Sequence, residues 1–155
     1  HILIVGHYGC SGVHAALTGT RVGLADNWLR HVADVGAKHA ALLDRAGDEA
    51  SRHTRLCELN VIEQVANVCQ ATVVQDAWAR GQALRVHGLI YGLHDGVVRR
   101  LGLHVSNAEE LAAQYPGAVA ALEAESSHRP CSEPHAHDSH THDPHTHDPA
   151  QDASA

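Results

Sequence analysis

Hydrophobic and polar positions follow recognisable periods over the first 125 residues and lose them afterwards. Residues 2–5, Ile-Leu-Ile-Val, form a continuous apolar run closed by Gly6. That pattern predicts a short strand covered on both faces, as in a parallel sheet under helices. Residues 7–12, His-Tyr-Gly-Cys-Ser-Gly, predict a glycine-rich turn leading into a short helix over 13–18. Across residues 25–43, Trp28, Leu29, Val32, Val35, Ala40 and Leu43 keep roughly helical spacing, with a break expected at Gly36. Gly47-Asp48 signals a stop and restart, with Asp48 or Ser51 as the N-cap. Leu56, Leu59, Ile62, Val65, Ala66 and Cys69 then recur at three- and four-residue steps, predicting a long helix over 52–69.

Residues 71–74 predict a second short buried strand, and 76–80 a helical turn ended by Gly81. Residues 84–91 are rich in β-formers, and Asp95-Gly96 supplies a turn before 97–101, which together predict a hairpin. A last helix is expected to start near Ser106, in a capping box with Glu109, and to break at Pro116-Gly117. The order of elements predicts an α/β domain, mainly parallel sheet flanked by helices, with the hairpin towards its C-terminal end. Beyond Ser126 no apolar periodicity survives, and four of the five prolines lie there. The expected organisation is one domain over residues 1–125 and a disordered His/Asp-rich tail over 126–155.

Composition narrows the classes. A chain of 155 residues, 44% hydrophobic and 19% charged, suffices for one domain with a sizeable core. Its apolar runs are too short to span a membrane. The net charge of −7 divides into −3 over residues 1–127 and −4 over 128–155, with no basic stripe, so nucleic acid is not an expected partner. Cys10, Cys57, Cys69 and Cys131 have no framework spacing and suit reduced thiols in a cytoplasmic protein, with a targeting signal further upstream left open. Sixteen histidines, no Met, no Phe and a first residue His1 suggest a piece of a longer protein or a processed form.

The first candidate chemistry is His7-x-x-Cys10. A strand ending before His7 delivers an imidazole to the carboxyl edge of the sheet, where ligand sites collect in α/β folds. Cys10 falls at the start of the next helix, whose dipole favours the thiolate that Zn²⁺ requires. Spacing alone leaves two readings open, because a zinc site needs three or four protein ligands and only two are local. The other reading is a packed His and Cys without metal.

Residues 2–13, Ile-Leu-Ile-Val-Gly-His-Tyr-Gly-Cys-Ser-Gly-Val, resemble the second zinc motif of the β-class carbonic anhydrases. Asn27-Trp28-Leu29-Arg30, the stretch from Leu56 to Val68, the stretch from Val74 to Gly81, and the stretch from Val86 to Gly96 are similar to the bacterial branch of that family. The likeness runs in order over about residues 1–115. It implies a partial β-carbonic-anhydrase-like fold and zinc-dependent, reversible hydration of carbon dioxide to bicarbonate and a proton. It also implies His7 and Cys10 as metal ligands and a homodimer or tetramer in the intact parent. Ser11 stands where the family usually has Gly, which adds a hydroxyl beside the metal position. The family's first motif, Cys-x-Asp-x-Arg, which supplies another thiolate and an Asp–Arg pair, has no counterpart in residues 1–155. The resemblance therefore implies an incomplete active site in this chain. It also makes Tyr91 a candidate for a non-catalytic bicarbonate pocket, with strand packing as the competing role.

Other residues have simpler roles. Trp28 and Trp78 suit the core or a dimer interface, Cys57 and Cys69 suit helix packing, and His87 and His94 suit ordinary hairpin positions. The tail carries three consecutive pentads of the form His-x-His-Asp-Ser/Pro. His135, His137, His140, His142, His145 and His147 thus offer imidazoles beside carboxylates, a donor set for Zn²⁺, Ni²⁺ or Cu²⁺. A solubilising tail is the plainer alternative. The second function class is then a non-catalytic metal-binding or storage protein.

Overall fold

The computed structural model describes residues 1–126, so the tail and its six candidate histidines lie outside the described residues. Three strands form one mixed sheet in the order β1 (Ile2–His7), β2 (Val86–Tyr91), β3 (Val98–Val105). β1 and β2 are parallel, with His7 opposite Tyr91, and β2 and β3 form the expected antiparallel hairpin. Six helices surround it: α1 (Ser11–Thr18), α2 (Asp26–Lys38), α3 (Ala40–Arg45), α4 (Glu49–Gln70), α5 (Thr72–Ala79) and α6 (Ala108–Ser126).

The 22-residue α4 is the hub. It packs against β1, β2, β3 and all five other helices. Asp48 is its N-cap, accepting from the Ser51 amide at 2.7 Å, which settles the choice between the two capping residues. Leu56, Leu59, Ile62 and Val65 are fully buried along it, and with Val86, Ile90 and Val105 they form the centre of the core.

Four local expectations change. Residues 71–74 are helical, not a strand: Ala71 alone is extended between α4 and α5. A β-branched run of that length fits either state, and α5 can bury Val74 and Ala77 while Val73 stays exposed. The break between α2 and α3 falls at His39, not Gly36, which stays helical and lies close to Leu56 and Leu43. The α6 start is held by Asn107, which accepts from the Glu110 amide at 2.7 Å, while Ser106 donates to Glu110 rather than Glu109. Pro116 sits inside α6 without ending it. Packing outweighs the local signal there, because Gln114 and Tyr115 before it and Ala118 and Leu122 after it are anchored on the body of the domain.

The fifth difference bears on the site. β1 is covered on one face only: Ile2 and Ile4 turn towards the core, whereas Leu3 and Val5 are 58% and 54% exposed. On its covered face β1 lies so close to α4 that a Cβ on Gly6 would come within 2.4 Å of Val61 Cγ2. Gly6→Ala is therefore expected to push β1 off α4 and to cost about 1–3 kcal/mol, the usual penalty for overpacking. Chemical denaturation checks this; an unchanged midpoint would show that Val61 can swing aside.

Candidate metal centre

His7 ends β1 and Cys10 is the N-cap residue of α1, so strand, turn and helix bring the two predicted donors onto one loop. Gly9 makes the turn possible with φ +70°. The His7 Nδ1 lies 2.9 Å from the Tyr8 carbonyl oxygen. A carbonyl only accepts, so Nδ1 carries the proton and Nε2 keeps a free lone pair. Cys10 is half-buried, and its side chain makes no capping hydrogen bond to the helix. An imidazole with Nε2 free is the form in which histidine ligates zinc, and cysteine is the other donor type such sites use.

The loop rests on α4. Tyr8 donates its hydroxyl to Glu58 Oε1 at 2.6 Å, and Arg55 donates to Glu58 Oε2 at 2.8 Å. Arg55 and Glu58 are both buried. Burial, and then the Glu58 carboxylate beside it, pushes the Tyr8 phenol well above its ordinary value. Cys57 is buried on α4, and burial pushes its thiol up to about 11. His53 donates Nε2–H to the Cys10 carbonyl at 2.8 Å, and its ring meets that of His14 edge-on at 5.1 Å. Sequence reasoning missed this supporting set. The signal was there in Arg55 and Glu58, charged residues inside an apolar helical period.

The other predicted residues separate from this loop. Tyr91 sits across the ladder from His7 and is half-buried, with its hydroxyl 3.9 Å from where a Cβ on Gly96 would stand. Trp78 is a packing residue whose Nε1–H donates to the Leu84 carbonyl at 2.9 Å. Trp28 is 78% exposed beside exposed Val22 and Leu24, so the core role is excluded for it in this chain. Cys57 and Cys69 are buried in α4, as expected. His87 pairs with His1 at 2.8 Å, and His94 is exposed on the hairpin turn. A cavity of about 880 Å³ opens beside the loop, between the hairpin, α4 and α6, and Tyr8, Glu58, Asp95 and Arg99 line it.

A family model described as carbonic anhydrase matches residues 1–98. The chain belongs to the β-class carbonic anhydrases. A carbonic anhydrase of Emericella nidulans is 42% identical over 103 residues, which make up 66% of this chain and 45% of that protein. The β-carbonic anhydrase of Coccomyxa, solved in complex with acetazolamide, superposes with a TM-score of 0.67 at 40% identity, over 73% of this chain and 51% of that one. One of two tetrameric β-carbonic anhydrases from Sordaria macrospora gives 0.61 at 34% identity, over 68% and 53%. The chain thus spans about half the length of the relatives it matches. His7 and Cys10 suit the zinc of a carbonic anhydrase in donor type. They would supply two of the four ligands such a site takes, and among the described residues no group of three or more His, Cys, Asp or Glu side chains converges on one point.

Proposed function

We propose that this chain supplies the His7–Cys10 half of the zinc site of a β-class carbonic anhydrase, acting on carbon dioxide and bicarbonate. The observation that carries the proposal is the His7 imidazole at the end of β1, its Nδ1–H committed to the Tyr8 carbonyl, with Cys10 three residues on at the head of α1. Zinc, when bound, supplies Lewis acidity that brings a water's pKa near neutrality. The chain's own contribution is to bring two donors together on one loop. The remaining ligands belong to the Cys-x-Asp-x-Arg motif that the family resemblance implies, which residues 1–155 do not contain. The match to residues 1–98 lies on the folded domain rather than on the tail, which favours the enzyme over a metal-storage protein. The exposure of the large apolar side chains Val22, Leu24 and Trp28, close together in sequence, supports assembly into a homodimer or tetramer. The likeness of the Leu56 to Val68 stretch supports placing the chain in the bacterial branch, and the unpaired cysteines support a cytoplasmic setting.

A split-protein assay tests the reading. The chain is combined with a β-class segment carrying Cys-x-Asp-x-Arg, and carbon dioxide hydration is followed by stopped flow in the presence of zinc. Hydration is expected only from the two pieces together, and His7→Ala or Cys10→Ser should reduce it to background. Activity indifferent to both substitutions, or no activity from pieces that co-purify as a folded complex, would overturn it.

A further inference from the structure

Two side chains of α4 hold the candidate metal loop, one at Tyr8 and one at Cys10. His53 donates to the Cys10 carbonyl, and Glu58 accepts from the Tyr8 hydroxyl. Each is tied from behind. Arg55 donates to Glu58, the His14 ring packs on that of His53, and His14 is itself 2.9 Å from Glu49. From above, Tyr8 donates its amide to the Tyr91 carbonyl at 3.0 Å. The Tyr8 residue is therefore fixed at its ring and at its nitrogen, and its carbonyl is what holds His7 Nδ1–H.

We infer that Glu58 is a positioning residue for His7: by holding the Tyr8 hydroxyl, it fixes the carbonyl that selects the imidazole tautomer with Nε2 free. The inference rests on the proposed role of His7 as a ligand only for its purpose; the geometry stands without it. No metal takes part. The face of α4 prepares the donor in advance, so an incoming ion meets an imidazole already oriented and in the right tautomer. Glu58 touches neither ion nor substrate, and its effect travels through Tyr8.

The tautomer can be read directly in the metal-free full chain by long-range nitrogen–proton NMR of the imidazole, at about pH 8, above the ordinary His pKa. The unmodified chain is expected to show His7 mainly as the Nδ1–H form, although a free histidine side chain favours Nε2–H. Tyr8→Phe and Glu58→Gln should each lower the ratio of Nδ1–H to Nε2–H by roughly fivefold, the effect of one ordinary hydrogen bond on an equilibrium. Amide exchange at Gly9 and Cys10 should quicken in both. Tyr8→Phe removes one oxygen and keeps the ring, so it tests the chain even where Glu58→Gln disturbs α4. Glu109→Gln, on the exposed start of α6, should change nothing. A His7 already in the Nε2–H form, or a ratio unmoved by Tyr8→Phe in a folded chain, would overturn the inference. Failure of the split-protein assay with the tautomer shifts intact would count against the zinc reading alone.

Discussion

Glu63→Ala is expected to cost about 3–4 kcal/mol and to loosen α6 from the rest of the domain. Glu63 is buried on α4, where it receives Lys38 Nζ at 2.7 Å and His39 Nε2 at 2.7 Å, and the Tyr115 hydroxyl also donates to it. One carboxylate thus joins the end of α2, the α2–α3 break and α6. Lys38 is half exposed and can turn to water, but His39 is nearly buried and would be stranded, as would the Tyr115 hydroxyl. Two stranded polar groups at about 1–3 kcal/mol each account for the magnitude. Urea denaturation gives the loss, and hydrogen exchange should place the earliest new opening in α6.

The same site sets a pH dependence. Burial alone would raise the Glu63 pKa, but hydrogen bonds from Lys38, Tyr115 and His39 more than offset it and leave the carboxyl below its ordinary 4.5. A group whose folded pKa is depressed stabilises the fold above its unfolded value and loses that contribution as pH falls through the folded one. The stability gap between the unmodified chain and Glu63→Gln should therefore be full at neutral pH and close as the solution is acidified below that ordinary value. A gap that widened in acid would mean that the carboxyl is protonated in the folded chain at neutral pH.

Leu59→Ala should be of similar size, about 2–5 kcal/mol, because Leu59 is 0% exposed at the middle of α4 and its loss leaves a cavity that packed neighbours cannot close. The melting midpoint should fall by about 10 °C. Leu59 and Glu63 are one turn apart on the same helix, so the double variant should depart from simple additivity. A loss below 1 kcal/mol, measured by the same denaturation, would show that the core collapses into the gap, against close packing around α4.

Those two residues also show what could be read in advance. Leu59 was legible, because it belongs to the three- and four-residue apolar rhythm of residues 56–69. Glu63 interrupts that rhythm, and its partners lie 24, 25 and 52 residues away in the chain. No periodicity encodes such distances. The same holds at the candidate centre. The strand, the glycine turn and the position of Cys10 at a helix start follow from local sequence, whereas Tyr8, 50 residues from Glu58, meets it only once β1 lies on α4. The α5 segment was misread for the opposite reason: a short β-branched run carries too little information to separate strand from helix, and burial of Val74 and Ala77 decides it.

The two sides of the sheet are not equivalent. β3, at one side, carries Arg99 and Arg100 and is bent by Gly102 at φ +75°, features that discourage further pairing. β1, at the other, is an uncharged Ile-Leu-Ile-Val strand whose second side has no ladder partner among the described residues. Lateral growth of the sheet is thus directional. A strand joining it parallel to β1 would finish beside His7, and whatever its last residues carry would arrive next to the two proposed zinc donors.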